Sequence, residues 1–339
     1  MKILVIFTGG TIGSAVSEGY ISPDSKCPYK LIESYKCQEI SQKWDVDFET
    51  YTPYTLLSED LTGEYLARLG TCVKENLHKE YDGIIVAHGT DTLQYSAAMV
   101  GYVTGNSSIP VVFVSSNYVL EDKRANGLCN FICAVEFIKE KRGEGTFISY
   151  RNLDGITYMH RAFAVLPHLP YSDEVFSIGN QYYGKYMTQA WQKEENQISQ
   201  DKLWQFEKNA EYHLKDTCKP VEKLPAKWKS GILRIFPYPG MEYPRIEPFV
   251  RAVLLDTYHS GTLCTAAPDM ERFFEEAERR GIPVYITGAN TETDYASFQK
   301  FESKNVHVLR NLSPVAAYVK LWLALEEDKN DLAQSMKSL

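Results

Sequence analysis

The sequence has no run approaching the roughly 20 apolar residues of a membrane span, so no transmembrane helix is expected. It has no excess of positive charge: 36 Lys and Arg face 44 Asp and Glu, a formal net charge of −8. That balance argues against a dedicated binder of nucleic acid or of an anionic membrane. An even cysteine framework is also missing. The seven cysteines (Cys27, Cys37, Cys72, Cys129, Cys133, Cys218 and Cys264) include no CxxC pair. Cys129 and Cys133 stand one helical turn apart, but a zinc site would need two more ligands nearby, and the sequence supplies none. Reduced thiols in a reducing compartment are the expectation. The opening apolar run Ile3–Phe7 is too short for a signal peptide and is broken at once by Thr8-Gly9-Gly10, so a cytoplasmic location is expected. Internal repeats and low-complexity tracts are absent.

What remains is an ordinary globular composition, with 44% hydrophobic and 24% charged residues over 339 positions. That length suits about two domains and needs no disulfide staples to bury a core. Four short apolar runs end in Gly- or Ser-rich turns: 3–7, 83–87, 109–114 and 146–149. Their length and β-branched content predict buried parallel strands. Helical patterns fall between them at 61–79, 92–104 and 126–139. Strand, turn and helix alternate, so the fold class is α/β: a doubly wound, mostly parallel sheet in an N-terminal domain. A smaller α/β domain follows from about Lys229, with strands at 231–236, 252–255, 284–287 and 307–309 and helices at 269–280 and 313–327. The last helix is expected to present one apolar face (Val315, Tyr318, Leu321, Leu325). The expected boundaries are 1–197, a polar, lysine-rich linker at 198–228, and 229–339. The tail from Lys329 is expected to fray.

Open α/β sheets bind ligands beyond the carboxyl ends of their strands, and two turns there are rich in functional groups. The first is Thr8-Gly9-Gly10-Thr11-Ile12-Gly13. Its glycines let backbone N–H groups point at a ligand, with Thr11 behind them. As a phosphate loop it is weak, since the GxGxxG spacing is not met and no Walker lysine follows; glycines serving only a tight strand exit would look the same. The second is His88-Gly89-Thr90-Asp91-Thr92. A carboxylate beside two hydroxyls can bind an ammonium group and activate a hydroxyl or water. The competing explanation is that Thr90 or Asp91 merely caps the following helix. His88 reads as a packed, hydrogen-bonded histidine.

Together the two turns resemble the TGGTI and HGTDT signatures of the asparaginase/glutaminase family of bacterial-type L-asparaginases, here Thr8–Ile12 and His88–Thr92. The resemblance continues through Leu57–Leu61, Pro110–Val114, Ala125–Asn130, Tyr258–Thr262 and Ser313–Leu321. It implies hydrolysis of L-asparagine to L-aspartate and ammonia without a cofactor or metal, at a site completed across a homodimer or within a homotetramer. The partner is then a small amino-acid substrate, with no nucleic acid and no membrane. By the same resemblance Thr11 is the nucleophile and forms a β-aspartyl ester, and Tyr20 sits on a lid that orients it. Thr90 acts in a second proton-handling or nucleophilic step, and Asp91 holds the substrate ammonium. Ser58 holds its carboxylate, with Glu59 on the ammonium side. Gly89 and Thr90 N–H groups polarise the amide oxygen, and Gly10 shapes the first turn.

The pattern breaks at one point. The family's catalytic lysine would fall near Ala164 or Val165, and no lysine occurs between Arg151 and Gly184. His160, Arg161 or His168 could supply a charged or proton-handling group there. Histidine is the better candidate because its ordinary pKa lies near neutrality, and His160 is the choice. Thr262 stands where the family often has asparagine. Ser115-Ser116-Asn117, with Lys123 beyond, replaces another familiar turn. These changes define an alternative: a degenerate or substrate-altered member that binds an amino acid or related amide. A nucleotide-binding protein ranks last. An ammonia-releasing component of an archaeal tRNA-dependent amidotransferase is a variant within the resemblance.

Overall fold

The computed structural model describes residues 1–17, 19–23, 27–42, 45–188, 204–214, 218, 220–221, 223–224, 230–289, 295–296, 299–302, 306–327 and 336. The chain opens with β1 (Lys2–Phe7), the hairpin β2 (Ser14–Ser17) and β3 (Tyr20–Pro23), α1 (Cys27–Lys36), α2 (Glu39–Gln42) and β4 (Asp47–Tyr51). It continues with α3 (Gly63–Asn76), β5 (Gly83–Ala87), α4 (Leu93–Thr104), β6 (Pro110–Val114), α5 (Gly127–Lys139) and β7 (Gly145–Arg151). Strands β8 (Thr157–Arg161), β9 (Gly184–Thr188) and β10 (Trp204–Lys208) complete the first sheet. Its order is β10-β9-β8-β7-β6-β5-β1-β4. The strands from β4 to β7 are parallel, and β8, β9 and β10 alternate antiparallel. The α/β class and the mostly parallel sheet are as the sequence predicts.

The central strands are buried because helices cover both faces. On β1, Ile3, Val5 and Phe7 pack with Leu31 and Tyr35 of α1 and with Phe131 of α5. The alternate residues Leu4 and Ile6 pack with Leu69 and Val73 of α3 and with Ala97 and Val100 of α4. The two-residue period of a strand thus splits β1 between two cores. The helix after β1 lies on one face and the helix after β5 on the other. Adjacent strands whose chains leave to opposite faces open a crevice between their ends, the topological switch point of a doubly wound sheet.

The smaller domain has four parallel strands, β11 (Ile232–Ile235), β12 (Ala252–Leu255), β13 (Val284–Thr287) and β14 (Val306–Leu309), in that order. Helix α6 (Met270–Arg279) packs on one face through Phe273, Phe274 and Ala277. Short α7 (Gln299–Glu302) precedes β14, and α8 (Pro314–Glu326) follows it. Ser313 caps α8, its hydroxyl accepting from Ala316 N–H, with Pro314 in the first turn. Helix α8 is not the one-faced helix expected from sequence. Val315, Val319, Leu321, Trp322, Leu323 and Leu325 are all buried, because the helix lies between α4 and the small sheet.

Other expectations need amendment. The segment read as a linker contributes β10. Its alternate residues Trp204 and Phe206 point inward, with the Phe206 ring 5.7 Å from Phe137 and 5.1 Å from Tyr186. A period-2 pattern of two aromatics among charges is enough for an edge strand. Beyond it, Val221 N–H donates to Tyr102 O and Cys218 packs over Gly101, so this stretch runs along α4. Residues 198–203, 215–217, 219, 222 and 225–229 of the expected linker and its border lie outside the described residues. So does the tail, apart from buried Met336, whose carbonyl accepts from Lys320 Nζ at 2.9 Å. The six described cysteines are free thiols. Among the described residues no helix is long and apolar enough to cross a membrane.

Candidate active site

Three chain segments meet at the switch point, and they meet through glycine. Gly9 (φ 103°) and Gly10 (φ 72°) lie in the left-handed region, which side chains avoid. Gly10 N–H donates to Leu56 O at 3.0 Å, and Leu56 N–H donates to Thr8 O at 3.1 Å. A Cβ on Gly9 would lie 2.2 Å from Leu56 O, and one on Gly10 would lie 2.2 Å from Gly89 Cα. A Cβ on Gly89 would lie 2.5 Å from Ser58 Cβ. The backbones of the 8–13, 56–60 and 88–92 segments are therefore in direct contact. Thr8 ties the outer two together, its hydroxyl and its N–H both donating to Ala87 O. Thr11 and Thr90 each follow one of the two touching glycines.

Ser58 connects the second and third segments. It starts a short 3-10 turn, Ser58–Asp60, and is buried. Its hydroxyl accepts from Asp91 N–H at 3.2 Å and donates to Asp91 Oδ2 at 3.4 Å. Its carbonyl accepts from the Thr92 hydroxyl at 2.9 Å. Gln94 Nε2 donates to Asp91 O at 3.2 Å. Helix α4 starts after Thr92, without a side-chain cap. Neither Thr90 nor Asp91 caps it, so the capping explanation of that turn does not describe this structure. Thr90 is half-buried and Asp91 exposed. Among the described residues, no acceptor takes the Gly89 or Thr90 N–H, and the Thr11 and Thr90 hydroxyls have no protein partner. The adjoining turns thus carry hydroxyls, N–H donors and a carboxylate, groups of the kinds that bind a zwitterion and polarise an amide.

The remaining sequence candidates lie further out. Glu59 is exposed next to Ser58. Tyr20 begins β3, opposite Ser17 across the hairpin, and is 77% exposed, so its ring stands in solvent and is not packed over Thr11. His160 is separated from Thr90 by the sheet register. It pairs with Ile148, which pairs with Phe113, which pairs with Val86. Three strand spacings make roughly 14 Å. The sequence placed His160 near Thr90, but β8 runs antiparallel to β7 and carries His160 back from the strand ends. Burial depresses its pKa to about 3, and Nδ1 lies 2.8 Å from Ser177 Oγ. His168 bonds through Nε2 to Ser172 O, and its ring lies edge-on to Tyr150. Ala164 and Val165, where a lysine was sought, are buried, and Val165 packs in the same apolar cluster as Tyr150. Lys123 is exposed. The Ser115–Asn117 turn is held against the start of α5 by paired Asn117–Asn126 bonds and by Gly127 N–H donating to Ser116 Oγ.

Sequence reasoning missed the contacts made by Leu56, Thr92, Gln94 and Ser96. Leu56 acts only through its backbone, which no residue type signals. It also missed a link between the domains. Arg234 on β11 donates to both Asp256 oxygens at 2.7 and 3.1 Å, and to the Tyr95 hydroxyl of α4 at 2.9 Å. Beside Asp256, a cleft of 610 Å³ opens between the domains, lined by Gln181, His213, Thr257, Tyr258, Asn311 and their neighbours; Thr11, Ser58, Thr90 and Asp91 do not line it. Among the described residues, no cluster of three His, Cys, Asp or Glu could hold a metal ion.

Known proteins match this architecture. The family description "Asparaginase, N-terminal" matches residues 2–167. A glutamyl-tRNA(Gln) amidotransferase component from Sulfolobus acidocaldarius is 24% identical, over 98% of this chain and 72% of its own length. Its counterpart from Thermococcus kodakarensis is 25% identical, over 94% of this chain and 70% of its own. The solved thermostable L-asparaginase of Thermococcus kodakarensis superposes with a TM-score of 0.70 at 21% identity, covering 99% of this chain and 96% of its own. L-asparaginase I of Vibrio cholerae does so with a TM-score of 0.72 at 19% identity, covering 100% and 97%. Residues 2–167 thus form an asparaginase N-terminal domain, and the chain as a whole shares the fold of these L-asparaginases.

Proposed function

We propose that this protein hydrolyses the side-chain amide of L-asparagine to L-aspartate and ammonia, with Thr11 as nucleophile. The observation that supports the reading is the Gly10–Gly89 contact, which brings together the turns that carry Thr11 and Thr90, with Ser58 hydrogen-bonded to Asp91 alongside. Attack by the Thr11 oxygen on the amide carbon forms a tetrahedral oxyanion, and the proton of the hydroxyl passes to the amide nitrogen. Loss of ammonia leaves a β-aspartyl ester, and water then cleaves the ester to release aspartate. The Gly89 and Thr90 N–H groups, having no protein acceptor among the described residues, are the donors available to the oxyanion. The Asp91 carboxylate pairs with the substrate ammonium and the Ser58 hydroxyl with its carboxylate, while Glu59 adds negative charge on the ammonium side. Thr90 handles the water of the second step. Tyr20 closes over Thr11 by movement of the exposed β2–β3 hairpin. The chain works as a cytoplasmic homodimer or homotetramer.

A second reading has its own support, since the amidotransferase components match 94–98% of this chain. In that reading the amide is glutamine and the ammonia passes to a partner protein. The substrate is one methylene longer, a difference that a pocket resolves by roughly 10- to 200-fold.

Ammonia release from asparagine and glutamine, measured from pH 5 to 10 for the wild type, Thr11→Ala and Thr90→Ala, tests both. The first reading expects a kcat/KM at least about tenfold higher for asparagine, abolished in both variants. A reversed ratio selects the second. No ammonia from the wild type, or full activity in Thr11→Ala, overturns both; aspartate binding without turnover would then mark a degenerate member.

A further inference from the structure

His88 is a buried titratable group in direct contact with the Gly89–Thr90 turn that the proposed chemistry leaves unused. It is only 1% exposed. Its ring bridges two groups: Nδ1 lies 2.9 Å from Gly89 O, and Nε2 lies 2.8 Å from Ser96 Oγ on α4. A carbonyl oxygen can only accept, so Nδ1 carries the proton. In the neutral ring Nε2 is then the acceptor, and Ser96 donates to it. Burial lowers the His88 pKa to about 4, which keeps the ring neutral at ordinary pH. The His88 backbone is anchored as well, its N–H donating to Val114 O at 2.9 Å.

These bonds have a consequence for the neighbouring peptide. The Gly89 carbonyl and the Thr90 N–H belong to one planar trans unit and point in opposite directions. Holding Gly89 O against the ring therefore turns the Thr90 N–H away from α4. Glycine at 89 offers little torsional resistance of its own, so the orientation of this peptide needs an external hold. We propose that His88 is a positioning residue: its Nδ1–H, held in that tautomer by Ser96, clamps the Gly89 carbonyl and aims the Thr90 N–H at the oxyanion of the bound amide. This rests on the hydrolase reading of the site and adds to it the device that pre-orients one donor. The clamp acts on the transition state more than on the ground state, because charge develops on the amide oxygen only during attack.

The test compares His88→Asn, His88→Gln and Ser96→Ala with the wild type in ammonia release, alongside thermal melting and the imidazole nitrogen NMR spectrum of the wild type. Asparagine places a side-chain N–H where Nδ1 stood; glutamine places one nearer Nε2. His88→Asn is expected to keep kcat within about threefold of the wild type. His88→Gln is expected to lose about 30-fold or more in kcat with KM within about threefold, in line with the 10²–10³ seen when such a donor is removed. Ser96→Ala, which frees the ring, is expected to fall between them. The spectrum is expected to show a protonated Nδ1 and a bare Nε2 from pH 8 down to 5. Equal kcat in His88→Gln and the wild type, or equal losses in Asn and Gln variants that track their melting temperatures, would overturn the proposal. If the wild type releases no ammonia, the hydrolase reading and the clamp's catalytic purpose fail together. The clamp as a structural device is then judged by the spectrum, and a proton on Nε2 removes it.

Discussion

Gly10 and Gly89 touch with no side chain between them: a Cβ on Gly10 would lie 2.2 Å from Gly89 Cα and 2.4 Å from its nitrogen. The obstacle is backbone on both sides, so the neighbour cannot rotate away. Gly10→Ala must also adopt a φ near 72°. Urea unfolding is expected to show a loss of about 3 kcal/mol, the scale of core overpacking plus local backbone strain. Ammonia release should fall below detection, since Thr11 and Thr90 are moved apart. A variant with wild-type stability and turnover would contradict the contact.

Ser58→Ala removes the acceptor for Asp91 N–H while leaving the bond from the Thr92 hydroxyl to the Ser58 carbonyl in place. Stability should drop by about 1 kcal/mol, the usual value of one such bond. KM should rise at least about tenfold with a smaller change in kcat, because the proposed role of the lost hydroxyl is to bind the substrate carboxylate. Steady-state kinetics separates this from a loss of chemistry, which would lower kcat alone.

Stability should decline as the pH falls from 6.5, for a reason lodged in two histidines. His88 and His160 are buried and titrate near 4 and 3 in the folded chain, against about 6.5 when unfolded. The unfolded chain therefore binds more protons between those values. The full stability is present above pH 6.5 and is lost progressively as the pH falls to about 4 for His88 and 3 for His160. Each contributes a slope near 1.4 kcal/mol per pH unit at about pH 5. Urea titrations at pH 7 and 5 should show a shallower decline in His160→Gln by about that much. An unchanged slope would mean that the ring titrates in the folded chain as it does in the unfolded one.

Arg234→Met should cost about 3 kcal/mol. It strands Asp256, whose side chain is 8% exposed, and it cuts the bond to Tyr95. Replacing both partners, Arg234→Met with Asp256→Leu, should recover most of that loss. A double-mutant cycle in urea measures the coupling. Additive losses would mean that Arg234 and Asp256 are not coupled.

Much of this protein was determined by local pattern. The strands 3–7, 83–87 and 252–255 announce themselves through continuous apolar runs, because strands covered on both faces have no polar side. The turns after β1 and β5 are equally legible, since only glycine tolerates the φ of 9 and 10 and since Thr90 and Asp91 sit in an unusually polar strand exit. Elements with weak local signals were not legible. Asp47–Tyr51 is an edge strand with a mostly exposed surface, and Trp204–Lys208 shows only two inward aromatics among charges. The all-round burial of α8 depends on α4 and the small sheet, which are distant in the chain.

Tertiary structure alone decided how the candidate residues stand to one another. The two touching glycines are 79 residues apart, and nothing in either turn reveals the other. The distance of His160 from Thr90 follows from strand direction and register, and a one-strand reversal changes which end of the sheet a side chain reaches. His88 and Ser96 are eight residues apart on a strand exit and a helix, and their pairing needs the α4 packing angle. Sequence specifies the chemistry of each group through its residue type and the conformation of its own turn. Which turns come together depends on long-range backbone contacts, because those contacts are made by atoms that every residue has.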